Sequence, residues 1–326
     1  MSVENPDDPE TTREAPQPAP ARTDAPAQDA LAPDAEPIEA AAEAPVETVE
    51  ASVKAPASKP EVIYRHTGLV RLTHWVNALC IFLLIGSGLN IFNAHPRLYW
   101  GLKGDDFDPS LLSIGAQGTA GGGLRGVTRI GHLNLDTTGV LGASMRHGGW
   151  LARAWPDWLT IPGYQDLADA RHWHFFFAWI LLANALAYLV WSLAIRHFQR
   201  DLVPTWADLR SIPRSILDHL KLRHPHGEEA KRYNVLQRLA YLGLIVMVAG
   251  MIATGLTMSP GFDAVAPWLL DLFGGRQSAR TLHFVFASGI VLFILVHVVE
   301  VFLAGPINEI RSMITGRYVV PQERKP

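Results

Sequence analysis

The stretch "LHFVFASGIVLFILVHVVEVF", residues 282–302, decides the fold because it is long and apolar enough to cross a lipid bilayer as one helix. It also holds two histidines, His283 and His297, and one acid, Glu300. Ionisable groups are costly inside a membrane and usually face the interior of a helix bundle. The stretch therefore predicts a transmembrane helix with functional groups on its protein-facing side.

Three further stretches meet the same requirement of about 20 consecutive apolar residues. A soluble protein would need four wholly buried helices of this length, which is unusual for a chain of 326 residues. The sequence therefore predicts an all-α integral membrane protein with a four-helix transmembrane bundle. The predicted spans cover residues 70–92, 173–195, 235–258 and 281–304.

Residues 1–60 differ from the rest of the chain because Ala, Pro, Glu and Asp dominate them. The segment holds thirteen acids and four bases, and it has too few large apolar side chains to form a core. It also lacks the basic start and apolar core of a signal peptide. We therefore expect a disordered acidic tail, followed by a membrane domain over residues 61–321.

The positively charged side chains predict the topology. The connection over residues 196–234 holds eight Lys and Arg residues, whereas residues 259–279 hold only Arg276. Short loops rich in Lys and Arg stay in the cytoplasm, which places both termini there and the long connection over residues 94–172 outside. A connection of that length usually has a task of its own, such as covering or docking a partner.

The single cysteine, Cys80, limits the cofactors that the chain can hold. One thiol excludes an intramolecular disulfide, a thiolate-bound iron–sulfur cluster and covalent attachment of haem. An iron cofactor would therefore need His or Met ligands. The sequence contains no phosphate-binding loop, dinucleotide fingerprint or zinc-protease motif, and no nucleic-acid partner is predicted.

Four histidines fall inside the predicted spans: His74, His174, His283 and His297. His283 and His297 are fourteen residues apart, so they differ by only about 40° around the helix and lie on the same face. They are about 21 Å apart along the helix axis, so they serve separate sites. Depth in the membrane pairs His74 with His297 and His174 with His283. Two imidazoles from different helices at one depth suit axial ligation of a haem iron, so we predict two b-type haems. One interhelical hydrogen bond per histidine is the plainer alternative.

His172 and His174 lie about 200° apart around one helix, so only one of them can face the bundle. We assign His174, which is deeper and begins the aromatic run "HFFFAW". Small residues let a macrocycle approach a helix closely, although they serve ordinary helix packing equally well. The residues of this kind are Gly86, Gly88, Gly250, Gly255 and Gly289.

Seven stretches carry a joint pattern: "VRLTHWVNA", "LNIFNAHPRLYWG", "RHWHFFFAW", "RYNVLQRLAY", "GLTMSPG", "LLDLFGGRQSARTLHF" and "GPINEIRSMITGRY". Together they resemble the bacterial di-haem cytochrome b family. This group includes the cytochrome b561 type, the cytochrome b subunit of Ni,Fe-hydrogenase and the gamma subunit of formate dehydrogenase, and the chain most resembles thiosulfate reductase cytochrome b subunits. The resemblance covers residues 62–321.

The resemblance implies that His74 with His297, and His174 with His283, ligate two haems in a bacterial inner-membrane protein. It also implies electron transfer between membrane quinone and an external oxidoreductase partner, expected to be molybdopterin-dependent. Asn234, with Gln237 one turn on, matches the position of a quinone site, and the plainer role of both is to cap a helix. In this interpretation the chain is an electron-transfer subunit, with no bond chemistry of its own beyond quinone turnover.

Two other functions fit the same residues. In the first, a haem-free bundle uses its histidines to relay protons or to bind a transported ion. In the second, a stand-alone transmembrane reductase passes electrons to a small soluble acceptor. Glu300, one turn beyond His297, fits either a proton relay or an ion pair at the membrane surface.

Overall fold

The computed structural model describes residues 61–105, 107–146, 148–196, 203–221 and 234–320. The predicted acidic tail lies outside the described residues. Four of the described helices are long and apolar enough to cross a membrane, which confirms the prediction of a helical membrane protein with four spans. These helices are α1 (Gly68–Ala94), α2 (Leu167–Ala194), α5 (Val235–Thr257) and α8 (Arg276–Ala304).

Hydrogen bonds to the first amides fix where these four helices begin. The side chain of Thr67 accepts a hydrogen bond at the start of α1, and the side chains of Asp166 and Asn234 do the same for α2 and α5. The first amides of α8 instead donate to the carbonyl of Gly101, at 3.1 and 3.2 Å. Both α2 and α8 begin several residues ahead of their predicted spans, because each of these caps lies outside the apolar run.

The four long helices pack in pairs, α1 along α2 and α5 along α8. Asn184 on α2 donates to the carbonyl of Thr73 and to Oδ1 of Asn77 on α1, at 2.9 and 2.7 Å. Side chains on the opposite faces are largely exposed, for example Phe82 at 67% and Val190 at 68%. Exposed apolar side chains along a helix of this length are suited to contact with lipid.

The connection between α1 and α2 contains antiparallel β-structure, which the sequence did not predict. We call residues 97–153 the β-module. One sheet has the strand order β2–β3–β4–β5, and β6 pairs with β7. The strands are β2 (Arg97–Leu98), β3 (Leu112–Gly118), β4 (Leu124–Ile130), β5 (Leu133–Asp136), β6 (Gly142–Arg146) and β7 (Gly149–Arg153).

Hydrogen bonds and a small apolar core join the β-module to the helices. Phe92 at the end of α1 packs with Leu98 and Ile114 of the module and with Phe284 of α8. The hydroxyl of Thr281 donates to the carbonyl of Tyr99 at 2.6 Å. The module is therefore fixed against the beginning of α8.

The opposite end of the bundle carries the points where the described chain begins and ends. Strand β1 (Val62–Tyr64) pairs antiparallel with β8 (Arg317–Val319). The indole of Trp75 donates to the carbonyl of Met313 at 3.1 Å, which ties α1 to the last helix. The shorter helices are α3 (Trp206–Arg210), α4 (Ile212–Leu220), α6 (Pro260–Val265), α7 (Pro267–Leu272) and α9 (Pro306–Thr315).

Candidate haem sites

The structure brings His174 and His283 together at the end of the bundle that carries the β-module. We call them the module-side pair. Each lies in the second turn of its helix, His174 on α2 and His283 on α8, and both side chains are half-buried. Their ring centroids are 6.2 Å apart with an angle of 57° between the ring planes. The neighbouring His172 is exposed.

Each imidazole of the module-side pair has a hydroxyl at Nδ1. Ser87 Oγ on α1 lies 3.0 Å from Nδ1 of His174, and Thr254 Oγ1 on α5 lies 3.0 Å from Nδ1 of His283. Both hydroxyl residues are fully buried. Sequence reasoning missed these two residues, although each stands directly before a glycine in a transmembrane helix.

The five glycines divide into two groups by what they face. A methyl group on Gly88 would lie 3.3 Å from Cε1 of His174, and one on Gly255 would lie 3.4 Å from Cε1 of His283. The others face ordinary side chains: Ile161 beside Gly86, Phe286 beside Gly250 and Met247 beside Gly289. Two glycines therefore make room for the histidine rings, two allow α5 and α8 to pack closely, and Gly86 lets the connection before α2 approach α1.

His74 on α1 and His297 on α8 meet at the opposite end of the bundle, and we call them the tail-side pair. Their ring centroids are 6.4 Å apart with an angle of 62° between the planes. The ring of His297 stacks on Phe293, at 5.8 Å and 3°. Within the part of the chain that the structure describes, Nδ1 of His74 is buried and has no hydrogen-bond partner.

The spacing of both pairs fits a single iron between two imidazoles. A histidine nitrogen lies about 2 Å from a metal that it binds, and the ring centre lies about 1 Å further, so two such rings have centres about 6 Å apart. Zinc sites use three or four protein ligands. Among the described residues no group of three His, Cys, Asp or Glu side chains is arranged to hold a metal ion. Two-histidine sites suit haem, because the macrocycle supplies the remaining ligands.

A cavity of about 90 Å³ lies between α5 and α8 beside the tail-side pair. Gln237, Tyr241, His297 and Glu300 contribute polar groups to its lining. Asn234 does not line it. Instead its side chain caps α5 by accepting from the amide of Leu236, and Gln237 Oε1 accepts from the amide of Asn234 at 3.1 Å. Of the two residues at the predicted quinone position, only Gln237 also faces the cavity.

A fifth histidine, His66, lies just before α1 near the tail-side pair. Burial, followed by the charges of Arg65, His74 and Arg71, lowers the pKa of His66 from 6.5 to about 4. The ring is therefore neutral at physiological pH. No pattern in the sequence distinguishes this histidine from those in surface loops.

Comparison with known protein families identifies the family of this chain. The family model for prokaryotic cytochrome b561 matches residues 65–316, which include all four long helices and the β-module. The chain belongs to the prokaryotic cytochrome b561 family. The family predicted from the sequence motifs is therefore confirmed, and so is a membrane haem protein that acts in electron transfer.

A curated relative comes from Azospira oryzae and is named a putative protein-methionine-sulfoxide reductase subunit, YedZ1. It is 27% identical to this cytochrome b561 family member over 256 residues. The alignment covers 78% of this chain and 98% of the relative. The similarity therefore extends over most of this chain and nearly the whole of the relative.

Proposed function

We propose that this cytochrome b561 family member is a di-haem electron-transfer subunit, which carries electrons between an oxidoreductase on the β-module side and quinone on the tail side. The observation that carries the proposal is the presence of two histidine pairs with ring separations of 6.2 and 6.4 Å. His283 and His297 lie on the same helix, about 21 Å apart along its axis. Each pair would hold one b-type haem.

The ligand set favours electron transfer over oxygen chemistry. Bound haem would supply an iron that exchanges single electrons, and His ligands from two helices would leave that iron no site for oxygen. The chain contributes the ligands, their orientation and an apolar surrounding that excludes water. Three helices supply the ligands, because α8 contributes one to each pair while α1 and α2 contribute the other two.

The cavity beside His297 is the proposed quinone site. Gln237 and Tyr241 are able to hydrogen-bond quinone oxygens, and the Glu300 carboxylate is able to accept or return a proton. Reduction of a quinone to a quinol takes up two electrons and two protons, so a titratable group next to the haem ligand suits this chemistry. The position of the cavity supports the tail side as the place of quinone turnover.

The β-module is the proposed docking site of the partner. Its fixed contact with α8 places it next to the module-side pair. The Azospira relative is named as a reductase subunit, which supports a partner protein for this chain as well. The sequence resemblance favours a molybdopterin-dependent partner. The distribution of Lys and Arg supports a bacterial inner-membrane protein with the module in the periplasm and both termini in the cytoplasm.

Haem content tests the proposal directly. The purified chain should contain two haems b, measured by pyridine haemochrome absorbance against protein concentration. A quinol analogue should reduce both haems in lipid nanodiscs. Purified protein without reducible haem bands would contradict the proposal and favour proton or ion transport through the histidines.

Co-purification tests the partner. A tagged chain isolated in mild detergent should bring down an oxidoreductase, identified by mass spectrometry and assayed for molybdopterin. Rapid reduction of a small soluble acceptor by the partner-free chain would instead support a stand-alone transmembrane reductase.

A further inference from the structure

The two hydroxyls on the module-side pair occupy equivalent positions in two different helix pairs. Ser87 on α1 faces His174 on α2, and Thr254 on α5 faces His283 on α8, both at 3.0 Å. A glycine follows each hydroxyl residue and faces the same imidazole. The same local arrangement therefore occurs twice.

The direction of these hydrogen bonds follows from the number of protons. A hydroxyl has one proton to donate. Ser87 Oγ lies 2.7 Å from the carbonyl of Leu83, and Thr254 Oγ1 lies 2.6 Å from the carbonyl of Gly250. Because carbonyls only accept, the hydroxyl protons are used there, and the hydroxyl oxygens accept from Nδ1–H of the two histidines.

This assignment fixes the tautomer of both histidines. With the proton on Nδ1, the lone pair of each ring lies on Nε2 and is available to a metal. A hydrogen bond from Nδ1–H also makes the imidazole a stronger electron donor. Stronger donation stabilises ferric iron more than ferrous iron and so lowers the reduction potential of the site.

We propose that Ser87 and Thr254 are positioning residues that hold His174 and His283 in the metal-binding tautomer and lower the reduction potential of the module-side haem. The inference rests on the proposed ligation of haem by these histidines. It distinguishes His174 and His283 from His74, because among the described residues Nδ1 of His74 has no such acceptor.

Redox titration of purified variants tests the inference. We expect Ser87→Ala and Thr254→Val to retain two haems, since neither change removes a histidine ligand. Each change should alter the redox equilibrium constant of one haem about threefold in favour of the reduced form. At 59 mV per tenfold, this raises its reduction potential by about 28 mV. The double variant should show about a tenfold change, or about 59 mV. The EPR spectrum of the same ferric haem should shift while the other spectrum stays unchanged.

Thr257→Val is the matched control for Thr254→Val. Thr257 is also fully buried on α5 and donates to a backbone carbonyl, that of Ala253 at 2.9 Å. This control should leave both potentials unchanged. Thr254→Ser keeps the hydroxyl and should restore the wild-type potential, which separates the hydrogen bond from side-chain packing.

The outcomes separate this inference from the proposed function. If His174→Ala and His283→Ala retain both haems, the ligation proposal fails and this inference fails with it. If those variants lose haem but Thr254→Val shifts neither potential, or shifts it no more than Thr257→Val, only the tuning role of the hydroxyls is wrong.

Discussion

The module-side and tail-side pairs have nearly equal ring separations but different surroundings. At the module side, buried hydroxyls bind both imidazoles, glycines make room for the rings, and the β-module contacts the end of α1 and the beginning of α8. At the tail side, His297 borders a cavity whose lining includes a carboxyl group and a phenol. The spacing of the two histidines determines which cofactor a pair can hold. The neighbouring groups determine whether the site also exchanges protons or contacts another part of the protein.

Removal of one histidine from each pair should have the largest effect and separate the two sites most clearly. His283→Ala should eliminate the module-side haem and spare the other, whereas His297→Ala should do the reverse, because one ligand alone holds haem weakly. Haem content and redox titration of each purified variant measure the effect. Loss of the same single haem in both variants would contradict the pairing.

His172 and His174 provide a matched test within the module-side site. His174→Ala should remove one haem, because His174 is the residue that faces His283. His172→Ala should retain both haems, because its side chain is exposed. Pyridine haemochrome absorbance compares the two variants, and haem loss in the His172 variant alone would reverse the assignment.

The tail-side cavity predicts an effect on rate without an effect on haem content. Glu300→Gln should slow haem reduction by quinol about 100-fold if the carboxylate accepts the quinol proton. Reduction by dithionite, which needs no quinol proton acceptor, should stay unchanged. Stopped-flow absorbance measures both rates. Equal rates of quinol oxidation in wild type and variant would exclude a proton-transfer role for Glu300.

The glycines at the module side predict the smallest effect. Gly255→Val should lower haem affinity at that site by about tenfold, because a side chain there would meet the ring of His283. Gly243→Val is the control on the same helix, since a methyl group there meets nothing within 4 Å. Haem titration into the apoprotein compares the variants. An equal loss of affinity in the control would point to helix propensity instead of crowding.

The sequence predicted the four spans because a helix in lipid needs a long apolar run, and it predicted the four histidines because ionisable groups are conspicuous in such runs. It did not predict Ser87 and Thr254. Hydroxyl residues in transmembrane helices usually bond to their own backbone, as these two also do, and only the approach of a second helix gives them another partner.

The β-module escaped prediction for a different reason. Its strands are two to seven residues long and hold several glycines, so strict alternation of apolar and polar residues is weak. Contacts distant in sequence stabilise it instead, such as the core formed with Phe92 of α1 and Phe284 of α8. A pattern read along one segment does not contain this information.

The pairing of β1 with β8 brings Val62 next to Val319. The first and last strands of the described membrane part therefore lie side by side, so its two ends are adjacent. Adjacent ends are suited to circular permutation, because a short linker can join β1 to β8 while new ends are introduced in a loop elsewhere. The order in which the helices enter the membrane could then be changed while both histidine pairs keep their positions.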